Sequence, residues 1–523
     1  MKCIEKRISL TGALLAAMLL VLFGGVCLVN LSGVPGFYDS DMYTDIRYAM
    51  EAWKHGSIFP EGWVFGNQLY AVSTPVLAAL LFGMTGKPLL AMGLASTVMA
   101  ALVLLSFSWM LRPVVRSREG RLAGCVLFLS VVLFYGDAWQ NTGGWQLLFT
   151  MCSYYACYAV NVFLAYGCYL RSGAWNRPGW VAVLVLTCVL SFGTGIQSLR
   201  QTAVMTLPLC AAELLRILQN AAAKKPLNKS SLTAAALVTA SNLAGLVTAR
   251  CLNIQQVEIF GELGIAELAG FLPGLRGSIL LALSLVMNHD PVSFMVLAAL
   301  ALVCGAAALR MLITAIRKRE GKALTLFGLL LLSVLAIVAV DVLTTMQVRA
   351  IYYFMLFPLL AFLTAVFFDG GGKWGRAAVS GLLAVLFLLS FIRGLVPVCG
   401  RVMDHQEESA YVISDYLMEQ GYTTLYASWN RGADVAIASD WEITAGFWEY
   451  DEDPFFYYKY LCNPEVFTAD PEHCAYLFYG EEYAQLAIDK AGTKGIDLKL
   501  LTYFPQWDAY LYTAPVNIME AFG

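Results

Sequence analysis

Long apolar runs separated by short polar breaks fill the first four-fifths of the chain. They fall at about 10–30, 88–111, 122–136, 145–170, 178–192, 201–218, 231–251, 291–315, 323–343, 350–368 and 376–396. Each is close to the ~20 residues that carry a helix across the hydrocarbon core of a bilayer. Long unbroken runs favour helices over a barrel, whose strands read as short alternating segments. The first run follows a basic head and exceeds the ~7–15 apolar residues of a signal-peptide core, so it predicts a retained first span. The apolar piece 69–86, "LYAVSTPVLAALLFGMTG", is expected to lie at or dip into the membrane face rather than cross.

Charge gives that exception its reason. Lys2, Lys6 and Arg7 precede the first run, and every second connection is again basic: Arg112, Arg116, Arg118 and Arg121; Arg171 and Arg177; Lys224, Lys225 and Lys229; Arg317, Lys318, Arg319 and Lys322; Lys373 and Arg376. The alternate connections are long, acidic or nearly uncharged. Residues 31–87 hold five acids against three bases, and 252–277 hold Glu258, Glu262 and Glu267 against Arg276. Basic loops stay on the cytoplasmic side. The alternation therefore predicts about eleven spans, an inside N-terminus and an outside C-terminus. Counting 69–86 as a span would put the four-arginine loop outside.

The pattern changes near residue 400. Residues 1–400 carry 28 Lys/Arg and 16 Asp/Glu, whereas 401–523 carry 6 and 21, an asymmetry hidden in the overall net charge of −3. In the tail, "EESAYVISDYLMEQG" and "EEYAQLAIDKAG" have helical periodicity, the first stopping at Gly421. "YTTLYAS", "CAYLFYG", "LKLLTYF" and "AYLYTA" alternate as strands. The expected fold is a mainly α polytopic membrane domain, 1–400, followed by a small extracytoplasmic α/β domain, 401–523. The acidic tail disfavours docking on anionic lipid.

Composition agrees: 59% of residues are hydrophobic and 14% charged, against ~25% charged in soluble domains. None of the thirteen cysteines has zinc-ligand spacing. Cys152 and Cys157 read as helix-packing residues. Cys462 and Cys474 read equally well as a disulfide or as two thiols.

The chemistry gathers after the first span, in "GFYDSDMYTDIRYAMEAWKHGSIFP" (36–60). Asp39 and Asp41 lie between Tyr38 and Tyr43. Acids crowded at a membrane face hold a cation, bind a polar ligand or act as a base, although either could simply cap a helix. Asp41 suits an N-cap and Gly56 a stop for an interfacial helix with Ile46, Met50 and Trp53 on one face. Arg200 in "SLRQTAVMTLPL" and Arg349 in "QVRAIYYFMLFPLL" stand at outer ends of spans. Arginine there can fork onto a phosphate without entering hydrocarbon, or snorkel as an anchor. Asp137 and Trp139 in "YGDAWQNTGGW", His289 in "MNHDP" and the intramembrane Asp341 are further candidates. Trp139 and Trp145 also fit an interfacial aromatic belt.

A first span, an acidic outer loop with interfacial helices and then "GNQLY…TPVLAALLFGMTG" resemble the GT-C superfamily of polyprenyl-phosphate-sugar-dependent glycosyltransferases, which includes the protein O-mannosyltransferases and the aminoarabinose transferases of lipid A. The tail segment "LYASWNRGADVAIASDWEITAGFW" resembles an extracytoplasmic domain attached to some bacterial members. The resemblance implies that an acid of the first outer loop, here Asp39 or Asp41, is the catalytic base or acceptor-binding group. "YDSD" departs from the Asp-Glu pair of the mannosyltransferases and leaves open which acid acts. The pieces that carry Arg200 and Arg349 also resemble the family, which implies substrate contacts there; Asp137, His289, Tyr38 and Trp139 are further substrate-binding candidates read from the residues themselves. The expected partners are a polyprenyl-phosphate sugar donor, membrane lipid and an envelope glycan, lipid or protein acceptor, with no nucleic acid. The sequence specifies no cofactor; the candidate is a divalent cation on Asp41 and Asp137.

Two rival classes remain at this level. A transporter or flippase would place a chain of ionisable groups inside its spans. A non-catalytic scaffold or sensor would tolerate loss of Asp39 and Asp41. The charge alternation makes one direct prediction: reporter fusions at residue 117 read as cytoplasmic and at 450 as external. A cytoplasmic tail would overturn the assignment of the catalytic face.

Overall fold

A computed structural model describes the chain apart from residues 1–8, 39, 135–145, 151–154, 175–176, 225, 253, 258–263, 267–269, 285–290, 319–320, 347, 406–407, 457, 459 and 523. The helices of the membrane part are α1 Leu10–Ser32, α2 Ser40–His55, α3 Thr74–Thr85, α4 Pro88–Leu111, α5 Arg118–Phe134, α6 Gln146–Phe149, α7 Tyr155–Leu170 and α8 Pro178–Gln197. They continue with α9 Leu207–Ala222, α10 Lys229–Cys251, α11 Phe271–Ser284, α12 Pro291–Lys318, α13 Lys322–Leu343, α14 Leu356–Gly370, α15 Gly372–Ser390 and α16 Val396–Asp404. Among the described residues nine helices are long and apolar enough to cross a membrane. α5 and α7, at 17 and 16 residues, correspond to two further expected spans. α3 has only 12 residues, too short to span.

Three features differ from expectation. α11, a 14-residue apolar helix, lies partly in what reads as an outer connection. Its Gly and Pro residues hide its periodicity. The last span does not stop at 396: a π-helical turn, Phe391–Leu395, leads directly into α16. α2 begins at Ser40, so Asp41 sits in its first turn rather than at an N-cap, where a carboxylate still complements the helix dipole. Gly56 ends α2 in the left-handed conformation as expected (φ 59°). Trp53 remains 49% exposed, laid over Gly83 of α3.

Small residues bring the spans together. A Cβ on Gly195 of α8 would stand 2.2 Å from the Asn242 carbonyl of α10, and one on Gly245 would stand 2.0 Å from the Phe192 carbonyl. Such contact replaces hydrophobic driving force inside lipid. Asn242 reinforces it: its amide donates to the Ser191 carbonyl (3.2 Å), and its Oδ1 accepts from Thr202 (2.8 Å) and Thr206 (3.0 Å). Thr202–Thr206 form a π-helical turn just before Pro208, which has no N–H to complete a regular ladder. Arg200 lies two residues before this turn.

The tail begins with α17 Ser409–Glu419 and then forms β1 Thr424–Ser428, α18 Trp429–Ala438, β2 Thr444–Trp448, β3 Cys474–Tyr479, α19 Glu481–Gly492, β4 Lys499–Phe504, β5 Ala509–Thr513 and α20 Ile518–Phe522. The sheet order is β2-β1-β3-β5-β4. β1 pairs parallel with β2 and β3, and β5 pairs antiparallel with β3 and β4. The four expected strands and two expected helices are present; α18, β2 and α20 are additional. Cys462 and Cys474 are separate thiols, bonded to the carbonyls of Tyr458 (3.5 Å) and Asp470 (3.0 Å).

The tail packs on the outer loop. Ala433, Ala436, Ile437, Trp441, Ala445 and Phe447 join the same apolar core as the spans. Tyr43 of α2 is the key: its ring stacks on Trp441 (5.5 Å) and meets Phe447 edge-on (5.1 Å). Its hydroxyl donates to the Ala445 carbonyl and accepts from the Ala445 N–H, both at 3.0 Å. A side chain thereby closes the open edge of β2, which would otherwise be a pairing liability. Tyr43→Phe should cost about 1–3 kcal/mol, because it strands a buried peptide group. Tyr43→Ala should cost about 3–5 kcal/mol and speed proteolysis between α16 and α17. Thermal unfolding and limited proteolysis check both; wild-type behaviour of Tyr43→Ala would mean that the tail is not docked through this residue.

Candidate active site

Five separate stretches of the membrane part meet the tail at one end of the bundle. Asp41 comes from the first turn of α2. Gly66, Asn67, Gln68 and Tyr70 come from the loop before α3, Tyr155 from the start of α7 and Arg200 from the connection after α8. Arg349, Ile351 and Tyr352 precede α14, and Tyr458, Tyr460 and Leu461 belong to the tail. Together they line a cleft of about 120 Å³.

The loop of residues 63–72 is held by its backbone. Val64 N–H donates to the Cys462 carbonyl (3.0 Å) and its carbonyl accepts from Leu461 (2.7 Å). Phe65 N–H donates to the Gln255 carbonyl (3.0 Å) and its carbonyl accepts from Val257 (2.9 Å). Leu69 N–H donates to the Gln197 carbonyl (3.2 Å), and Val72 N–H to the Gln197 side chain. Gln68 is buried and accepts from the Tyr158 hydroxyl at 3.2 Å. These bonds fix "GNQ" between the spans and the tail.

Arg200 is oriented by two phenols. Its Nη1 donates to Tyr155 Oη (3.0 Å) and its Nη2 to Tyr352 Oη (2.9 Å), with the guanidinium 4.3 Å from the centre of the Tyr352 ring. Phenols are uncharged, so they aim the guanidinium without cancelling its charge. Asp41 is exposed to this cleft, whose walls separate it from bulk water. Removal from water raises its pKa above the usual 3.8; the Arg349 charge and then the Arg200 charge pull the other way. An acid placed so is a better proton acceptor than an ordinary carboxylate.

A second cavity of about 420 Å³ opens beside the cleft and shares Gly66, Asn67, Gln68, Tyr155, Arg200 and Tyr352 with it. Its other lining is mostly apolar, with Val204, Ile337, Val340, Val348 and Phe354. Arg200 thus stands in the wall common to a polar and an apolar compartment. On the tail side, Tyr458 is packed between Trp429 (3.8 Å) and Tyr460 (3.7 Å).

The structure brings Asp41, Arg200 and Arg349 together, from positions far apart in sequence. Tyr38 is not in the cleft lining; it is buried and donates to the Asn30 carbonyl at 3.3 Å, which ties down the end of α1. Asp341 accepts from Tyr353 (3.3 Å), itself bonded to Ser278. Asp39, Asp137, Trp139, Trp145, Cys152, His289 and Asp290 lie outside the described residues. Among the described residues no three His, Cys, Asp or Glu side chains are grouped as metal ligands. Among the described residues the cleft offers one carboxylate, Asp41, facing two guanidinium groups; Asp137, the other half of the expected cation pair, lies outside them.

Sequence reasoning missed Tyr155, Asn67, Tyr458 and Tyr460 as cleft residues. "GNQLY" and the aromatics after Arg349 were visible signals for the loop and for Tyr352. Tyr458 and Tyr460 carried none, because their place depends on how the tail docks.

Compared with solved structures, the chain is similar to the crystal structure of ArnT from Cupriavidus metallidurans in the apo state, with TM-score 0.52 and 12% identity over 97% of this chain and 98% of that one. It is also similar to ArnT from the same organism bound to undecaprenyl phosphate, with TM-score 0.49 and 12% identity over 98% and 99%. ArnT is an aminoarabinose transferase of the GT-C type; the fold here is ArnT-like. No family model matches the chain, and no curated protein matches it.

The raised pKa of Asp41 predicts a trade between stability and charge. A carboxyl whose pKa is raised by folding stabilises the protein below its unfolded pKa, and that contribution is lost as pH rises through the folded pKa. Asp41→Asn, neutral at every pH, should therefore unfold at a higher temperature than wild type at pH 7. The gap should close as pH falls toward 3.8, the ordinary value. A mutant less stable than wild type at pH 7 would show that the arginines dominate over desolvation.

Proposed function

We propose that this protein is a glycosyltransferase that moves a sugar from a polyprenyl-phosphate donor to an envelope acceptor at the outer face of the cytoplasmic membrane. The observation that carries the reading is the convergence of Asp41, Arg200 and Arg349 on one cleft beside an apolar cavity. An isoprenyl phosphate is amphipathic in the same sense. Its first isoprene units suit the apolar cavity, and its phosphate suits the shared wall at Arg200. The GT-C fold supports the same class of reaction.

In this reading the acceptor hydroxyl enters between α2 and the tail loop that carries Tyr458 and Tyr460. Asp41 takes its proton as its oxygen attacks the anomeric carbon. The new C–O bond forms on the face opposite the departing phosphate, so the configuration inverts. The bond from the anomeric carbon to the phosphate oxygen breaks, and the polyprenyl phosphate leaves with its added negative charge held by Arg200 and Arg349. Tyr155 and Tyr352 keep Arg200 aimed before substrate arrives, which lowers the cost of reorganisation. The outer-face assignment follows from the basic connections at the opposite end of the bundle.

Mass spectrometry of envelope glycans with and without the gene tests the reading. Loss of a sugar modification on deletion, restored by wild type, is expected. Asp41→Asn should reduce transfer at least about a hundredfold, the scale of a positioned base, while membrane level is retained. Arg200→Ala or Arg349→Ala should each cost about 1.5–3 kcal/mol in donor use, with non-additive losses in the double mutant. Arg→Lys should not restore full activity. Unchanged glycans, or full restoration by Asp41→Asn, would return the chain to the scaffold class.

A further inference from the structure

The spans that carry the cleft at one end carry a different feature at the other. α7 starts at Tyr155 in the cleft and ends before Arg171; α8 starts after Arg177 and ends before Arg200; α13 starts at Lys322 and ends near the apolar cavity wall. Arg112 follows the end of α4. Arg112, Arg171, Arg177 and Lys322, from three separate connections, line one pocket of about 470 Å³ with Trp109, Pro113 and Gly173. No acid lines it. We propose that this pocket is a binding site for the headgroup of an anionic phospholipid, distinct from the candidate active site.

The electrostatics call for an anion. Among the described residues no carboxylate forms an ion pair with any of the four cations. Arg171 is the half-buried member of the four. Its guanidinium lies 3.9 Å from the centre of the Trp109 ring and donates to the carbonyls of Gly167 (2.9 Å) and Trp109. All these contacts are with neutral groups, so they do not compensate its charge. Burial pushes its pKa down to about 10, and the Arg112 charge adds to the fall. A phosphodiester between these side chains would relieve that repulsion, and arginine forks match phosphate oxygens.

The surroundings select a lipid over a free anion. Val181 and Val185, one and two turns along α8 from Arg177, are 44% and 57% exposed. On a span these are lipid-facing positions, and they offer a track for an acyl chain below the headgroup. Basic pockets between helices at a membrane surface are a recurrent form of anionic-lipid site. Arg171 is already bonded within the protein, which leaves Arg112, Arg177 and Lys322 to close on the headgroup.

Native mass spectrometry of the detergent-purified full chain, loaded in parallel with phosphatidylglycerol and phosphatidylcholine, tests this site. Phosphatidylglycerol should be retained and should raise the unfolding temperature; phosphatidylcholine and inorganic phosphate should do neither. The triple variant Arg112→Gln/Arg177→Gln/Lys322→Gln should lose retention, with apparent affinity falling about fivefold per residue, the worth of one basic side chain at an anionic surface. Its lipid-free unfolding temperature should match wild type. If the triple variant does not fold, Arg177→Gln alone, at an exposed position before α8, should give the fivefold loss. Equal retention of both lipids, retention unchanged by the substitutions, or stabilisation by inorganic phosphate equal to that by phosphatidylglycerol would overturn the proposal. None of these readouts depends on sugar transfer.

Discussion

The stretch from Trp63 to Val72 has no helix or sheet of its own, and every peptide group that it buries must find a partner elsewhere. It finds them in the tail at Leu461 and Cys462, in the segment after α10 at Gln255 and Val257, and in α8 at Gln197. This one requirement ties the first outer loop, the end of α8, the segment after α10 and the tail into a single surface. The cleft is the space that those bonds leave open. Its residues come from loops, but the backbone of this loop is hydrogen-bonded much as a strand's is, and that is what positions a reacting group.

Around that frame the charges are arranged against their own comfort. Asp41 faces a cleft that withdraws it from water, and the opposing arginines only partly offset the cost. Arg200 leans on two phenols, which orient it and are themselves uncharged. Such sites are stored destabilisation, offset by the packing beneath. The small-residue crossing of α8 and α10 and the Asn242 network supply part of that packing just below Arg200.

The bundle also explains why its two ends differ. Spans that run up and down deliver alternate connections to alternate ends, so a sequence with basic residues in every second connection collects them on one side. There Arg112, Arg171, Arg177 and Lys322 meet around Trp109, while the sparsely charged end receives Arg200 and Arg349. The rigidity of the helices means that a ligand at either end acts on the same rods.

Periodicity and charge by themselves determined the spans, their alternation, the short non-spanning α3 and most of the tail's strands. These are local or additive properties: a helix must be long enough for the bilayer, and basic residues resist crossing it. The same reading singled out Asp41, Arg200 and Arg349, because charge is rare at the end of an apolar run and each exception stands out. It did not find α11, whose Gly and Pro residues blur its period, or α18 and β2, which follow β1 without a turn signal. Nor could it show that three residues so far apart along the chain share one cleft, that Tyr155 and Tyr352 orient Arg200, or that Tyr458 and Tyr460 of the tail form a wall of it. Those facts depend on which side chains and peptide groups meet when the helices cross and the tail docks on Tyr43. That is decided by long-range packing and hydrogen bonding, and no window of sequence contains both partners.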